Sequence, residues 1–254
     1  MKTLKIRCLP FLTFLLMISF TFAQDKAPNM FVVHTDNVKF GMMQEYEAAA
    51  KELKELMEKH QIKDGHYTAI SVEDGRYVYV SPISSMADLD KNPMSELYEK
   101  VGAEKINAMF SKMDECYDSH HDNIVYRIDE LSYMPEGYST AGKNFREYHF
   151  LYYSPRHSKA MNEAMAGVKK MFASSNIKNG YEVYHSGFGD DESYYMVAVS
   201  GDDALSIAQG GKSNNEIMGD AGQAALYEVI KLASRYDQVN ANIRPDLSYL
   251  PSSN

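Results

Sequence analysis

Leu131-Ser132-Tyr133-Met134-Pro135 recurs as Leu247-Ser248-Tyr249-Leu250-Pro251, 116 residues later. Ile62-Lys63-Asp64-Gly65 recurs as Ile177-Lys178-Asn179-Gly180 at an offset of 115. Two matches with nearly the same spacing, at the middle and end of each half, point to an internal duplication, which bears on the fold before any motif does. A helical pattern repeats with them. Met42, Tyr46, Ala49, Leu53, Leu56 and Met57 fall at helical spacing up to His60. Met161, Met165, Val168 and Phe172 take the positions of Tyr46, Ala50, Leu53 and Met57 under the 115-residue shift.

Each half reads as β-α-β-β-α-β. Short apolar strands at 30–35 and 148–154 precede the two helices. The first hairpin, 66–73 and 76–81, turns at Asp74-Gly75, a pair suited to type I′ geometry; the second, 181–186 and 193–200, has a longer Gly-Phe-Gly-Asp-Asp loop. A further helix follows in each half, carrying Leu97, Val101, Met109, Met113 and Cys116, then Met218, Ala225, Val229 and Tyr236; strands at 123–131 and 239–247 close the halves. The run PEGYSTAGKNF at 135–145 has linker composition. This order gives a four-stranded antiparallel sheet with both helices on one face, leaving the other face to be covered by a second copy. On these grounds the chain resembles the dimeric α/β-barrel superfamily, in its single-chain form with two fused ferredoxin-like units. The expected fold is α+β: two tandem ferredoxin-like repeats whose antiparallel sheets pack face to face as a pseudo-dimeric α/β barrel. The expected division is 1–23 leader, 24–138 first repeat, 139–146 linker and 147–254 second repeat.

The leader assignment rests on Lys2, Lys5 and Arg7, an apolar run from Leu9 to Phe22, and small residues at Thr21 and Ala23, the pattern of a secretory signal peptide. Export to the periplasm or beyond the cell is therefore expected, with no membrane-spanning segment after cleavage. Loss of three basic residues and no acid takes the formal charge from −9 to −12. So acidic a chain disfavours nonspecific binding to nucleic acid or to an anionic membrane. Cys8 leaves with the leader, so Cys116 has no partner for an intrachain disulfide. Its place on an apolar stripe marks it as a small buried hydrophobe rather than a nucleophile.

Strand alternation proposes a site. With Phe31 aligned to Phe150, Phe31, Val33, Phe150 and Tyr152 are assigned to the helix side, and Met30, Val32, His34, His149, Leu151 and Tyr153 to the barrel interior. Val78, Val80, Val197 and Val199 suit the helix side too, which turns Tyr77, Tyr79, Tyr194 and Met196 inward, with Arg127 joining them from the last strand of the first half. Tyr77, Tyr79, Arg127, Tyr153, Tyr194 and Met196 are the expected ligand contacts, around a small apolar or aromatic molecule. His34 and His149 are the candidate general bases.

The superfamily resemblance implies cofactor-independent monooxygenases, isomerases and haem-binding enzymes as alternatives to simple binding. A packed interior serving structure or interaction is a third reading. No cofactor is indicated by a motif, and oligomeric state is not encoded. Asp118-Ser119-His120-His121-Asp122 is the densest set of potential metal ligands, but adjacent His residues diverge on a strand and a third donor must come from elsewhere, so no metal site is assigned. Gly210-Gly211-Lys212-Ser213 lacks the leading glycine of a phosphate-binding loop and reads as a surface loop before the last helix.

Overall fold

A computed structural model describes residues 29–251; the expected leader lies outside the described residues. Along the chain come β1 (Met30–Val38), α1 (Met43–Lys59), β2 (Thr68–Val72), β3 (Arg76–Ile83), α2 (Ser95–Val101), α3 (Ala103–Asp114), β4 (Tyr117–Arg127), β5 (Phe145–Tyr153), α4 (Ser158–Ser174), β6 (Glu182–Ser186), β7 (Tyr194–Gly201), α5 (Ala204–Ile230) and β8 (Ala233–Ile243). The eight strands, all antiparallel, form one closed barrel in the order β1-β3-β2-β8-β5-β7-β6-β4. Closure is made edge to edge, where β2 pairs with β8 and β4 with β6. Each closing ladder is three residue pairs long, so the first part of β4 pairs only with β1 and most of β8 only with β5. The helices pack on its outer surface.

Several elements differ in detail from expectation. Asp74 does not have a positive φ; Gly75 does, at 94°, and its N–H bonds Val72, so the hairpin turns through a three-residue loop ending in a left-handed glycine rather than through a type I′ pair. The helix expected around Leu97 to Cys116 is two, α2 and α3, broken at Gly102. Tyr236 lies on β8, not on a helix, and Gly210 to Ser213 lie inside α5 rather than in a loop.

The faces of the strands are the reverse of those expected on β1, β3 and β5. His34, Tyr77, Tyr79, His149 and Tyr153 all point to the helix side. Tyr77 and Tyr79 pack with Tyr46, Ala49 and Ala50 of α1, and Leu151 and Tyr153 pack with Met161 and Met165 of α4. The interior holds Ile70, Val72, Val78, Val80, Tyr148, Val239, Ala241 and Ile243 instead. The lumen of an eight-stranded barrel is just wide enough for side chains, and these residues fill it together with the rings of Phe150, Tyr152 and Tyr184. Beneath the helices the hydroxyls of Tyr77 and Tyr153 find polar partners, Glu47 and His185, which a barrel-facing orientation on these strands would forfeit. Arg127, Tyr194 and Met196 do face inward, Arg127 opposite Tyr184 and Tyr194 against Phe150 and Tyr152.

The quoted repeats meet in space. Tyr133 donates its hydroxyl proton to the carbonyl of Ile177 at 2.8 Å, and Tyr249 does the same to Ile62 at 2.5 Å. The Ser132 hydroxyl accepts the N–H of Val183, and the Ser248 hydroxyl accepts that of Ala69. Ile62 and Ile177 each follow a left-handed residue, Gln61 (φ 49°) and Asn176 (φ 53°), and bond back across five residues to Met57 and Phe172. That is the Schellman ending of a helix. Each Leu-Ser-Tyr tail thus clamps a helix end on the other side of the barrel, and the same contact is made twice.

Candidate functional site

Between the outer face of β5 and β7 and the helices α4 and α5 lies a cavity of about 550 Å³. Its wall is mostly apolar, with Leu151, Met165, Val168, Val197, Met218 and Val229 among the lining residues. Local sequence makes the room. Gly219 has φ 54° and ψ −149°, a conformation reserved for glycine, and kinks α5 between the two segments that line the cavity. A Cβ on Gly210 would meet the Asn179 amide nitrogen at 2.8 Å, so this glycine lets α5 approach the loop before β6.

One edge of the cavity is polar. His149 Nε2 lies 2.9 Å from Glu147 Oε1, and its Nδ1 lies 2.7 Å from the Tyr236 hydroxyl. Gln238 donates to the second oxygen of Glu147 at 2.8 Å. A carboxylate only accepts, so Nε2 carries the proton and Nδ1 accepts from Tyr236. Burial pushes the His149 pKa down, against the opposing charge of Glu147, which keeps the ring neutral. Phenol, imidazole and carboxylate therefore form a connected acid-base chain. Tyr181 also lines the cavity, and its buried hydroxyl has no hydrogen-bond partner among the described residues.

Of the residues chosen from sequence, His149 alone reaches this cavity. Tyr153 lies behind it, its hydroxyl 2.7 Å from His185 Nε2. Tyr77 donates to Glu47 at 2.5 Å under α1. Arg127 pairs with Asp129, and Tyr194 bonds Asp190 and Asn123 inside the barrel. Met196 is half-buried on the inner face of β7, one position from Tyr195. Sequence reasoning missed Glu147, Tyr181 and Tyr236. The alternation Glu147-x-His149 on one strand face was the available signal for the first.

His34 occupies the position on β1 that His149 has on β5: each lies four residues before the bulge, at Val38 and Tyr153, where pairing to the neighbouring strand slips. Its surroundings differ. His34 Nε2 is 3.1 Å from Asp36 Oδ1 and Nδ1 is 2.8 Å from Asp122 Oδ1. Hydrogen bonding to Asp36 is the main cause that raises its pKa to about 9, with Asp122 adding and burial opposing. Tyr46, fully buried, donates to the other oxygen of Asp36 at 2.5 Å. The thiol of Cys116 is buried, as expected, and burial pushes its pKa up.

A closed antiparallel eight-stranded barrel with helices on its outside is the architecture of dimeric α/β-barrel proteins. No family model matches the chain, and no curated protein does. Among solved structures it is similar to an anthrone oxidase-like protein, with a TM-score of 0.57 and 10% identity over 86% of this chain and 92% of that one. It is similar also to chlorite dismutase from Candidatus Nitrospira defluvii in complex with imidazole, with a TM-score of 0.51 and 9% identity over 87% and 93% of the two chains. At these identities the likeness is one of fold. Haem, which the superfamily resemblance implies for some members, does not fit this cavity through an imidazole. His149 is the one histidine among the lining residues, and both of its nitrogens are engaged. Among the described residues no helix is long and apolar enough to cross a membrane.

Proposed function

We propose that the chain binds a small, flat, largely apolar molecule between β5, β7, α4 and α5, with Tyr181 and the Tyr236–His149–Glu147 chain as its polar handles. The observation that carries this reading is the cavity of about 550 Å³ whose apolar wall meets that polar chain along one edge. A pocket of this size and lining suits an aromatic molecule bearing a hydroxyl or carbonyl group. The test is titration with 2-naphthol, followed by its fluorescence. Saturable binding is expected in the wild type, and Val199→Phe, which fills the cavity, should weaken it at least tenfold while circular dichroism stays unchanged. Equal binding by both proteins overturns the proposal.

Catalysis in the same cavity is the second reading, favoured by the acid-base chain and by the name of the anthrone oxidase-like neighbour. A neutral His149 offers Nδ1 as the base to a ligand hydroxyl that takes the place of Tyr236, while Glu147 stabilises the resulting imidazolium. His149→Phe should then abolish turnover of a bound phenol or anthrone while leaving its Kd within a few-fold. Turnover unaffected by this change would exclude His149 as the base.

The doubled Leu-Ser-Tyr clamp supports reading the chain as two fused ferredoxin-like repeats, divided near 139–146. Export through the 1–23 leader completes the proposal, and amino-terminal sequencing of the protein from its host should begin at Gln24. Recovery of an intact leader would refute export.

A further inference from the structure

We propose that His34, Asp36 and His120 bind a divalent first-row transition-metal ion such as Zn²⁺, at a site on the first half of the barrel apart from the cavity. Strand pairing builds the site. On β1 and β4, His34 lies directly opposite Asp122 and Asp36 directly opposite His120, so four potential ligands share one sheet face in a square. Their alternation along each strand is i, i+2, the period that keeps side chains on one side. His120 and His121, adjacent in sequence, part company here: His121 pairs with Thr35 and turns to the other face.

Donor atoms of His34, Asp36 and His120 already lie within 4.8 Å of one another. Bonds of about 2.1 Å at tetrahedral or octahedral angles put neighbouring donors roughly 3.0–3.4 Å apart. The separation of His34 Nε2 from Asp36 Oδ1, 3.1 Å, falls in that span. His120 is exposed and closes the remaining distance by side-chain rotation.

The outer contacts are those that a metal site needs. Asp122 holds Nδ1 of His34, and because Asp36 is itself a ligand the ion replaces the proton that Nε2 shares with it, giving a carboxylate–histidine–metal arrangement. Tyr46 holds Oδ2 of Asp36, so that Oδ1, on the His34 side, is the oxygen offered to the ion. The ring of Tyr117 stacks on His120, with centroids 5.9 Å apart and planes 29° from parallel. Two histidines and a carboxylate leave at least one coordination position to water, the donor set of an open site. The matched positions on β5 and β8 carry Leu151, Tyr236 and Gln238 around His149, so the ion belongs to one half alone.

The experiment is titration of the untagged protein with Zn²⁺ by calorimetry and with Co²⁺ by visible absorption. One ion per chain is expected, with Co²⁺ d–d bands of a low-coordinate site. His120→Ala, an exposed change that leaves the core intact, and His34→Gln should each weaken binding at least tenfold. Asp122→Asn should weaken it by about the same factor, and His121→Gln should leave it unchanged. The proposal fails if no ion binds saturably, if His120→Ala binds as the wild type does, or if His121→Gln loses as much as His120→Ala.

Discussion

At Glu47 three distant parts of the chain meet. Its oxygens accept from the Arg244 guanidinium in a two-pronged pair at 2.5 and 2.9 Å, and one of them also accepts from Tyr77. Arg244 holds the Glu47 carboxyl below the usual carboxylate range, with Tyr77 helping and partial burial opposing. A carboxyl whose pKa is lower folded than unfolded adds stability that is complete above the unfolded value, about 4.3, and is lost as pH falls through the folded one. Glu47→Gln should therefore cost about 1 kcal/mol at pH 7 and progressively less below about pH 4. Urea midpoints at pH 7 and pH 3.5 check this; an undiminished gap at the lower pH would contradict it. Single residues were also where the sequence was most and least legible. His34 and His149 stand out as polar residues in apolar strands, but their side of the sheet does not. Valine suits a lumen and a helix-covered face equally, and only closure of the barrel decides between them.

The helices and strands taken from periodicity existed where the pattern was strong. Helix α1 ends at Lys59 against an expected stop at His60. Periodicity failed where tertiary contacts outweigh local preference. The start of β4, Tyr117 to Asp122, is mostly exposed and polar, so nothing in its hydrophobic pattern marks a strand; its pairing with β1 does. Likewise the glycines and asparagines of α5 resemble a loop, yet Gly210 serves close packing. Gly219 serves the kink, and its left-handed backbone yields a prediction. Nothing lies within 4 Å of a Cβ added there, so Gly219→Ala meets no clash and its cost is conformational, about 1–3 kcal/mol. Denaturant unfolding should show a lower midpoint with an unchanged slope. A cost under about 0.5 kcal/mol would mean that the kink relaxes. The clamps offer a paired test of the same kind. Tyr133→Phe and Tyr249→Phe each strand one carbonyl, Ile177 or Ile62, and should each cost about 1 kcal/mol. Being far apart, the two losses should add in the double variant.

Across the whole molecule, each side of the barrel completes its core with residues from the far end of the other. Leu247, 1% exposed, packs with Tyr46, Ala50 and Tyr77, and Tyr249 packs with Leu53, Met57 and Leu97. In return Leu131 and Tyr133 pack with Met161, Met165 and Ile177. The β2–β8 and β4–β6 ladders join the same regions through backbone hydrogen bonds. The recurrence of these segments was visible in the sequence, but this exchange was not, because likeness between two segments does not say which of them touch. Two self-contained domains would unfold in two steps. Exchanged tails with a closed sheet couple the halves, so heat unfolding should be a single transition with equal calorimetric and van't Hoff enthalpies. Leu247→Ala separates the alternatives. Truncation of a fully buried leucine costs roughly 2–5 kcal/mol, and coupling requires the whole transition to shift, including signals from the α4–α5 side that Leu247 never contacts. A tryptophan placed at exposed Leu205 on α5 would report that side. Its melting should move in step with the far-ultraviolet signal; if it stays at the wild-type temperature while the rest shifts, the halves are independent.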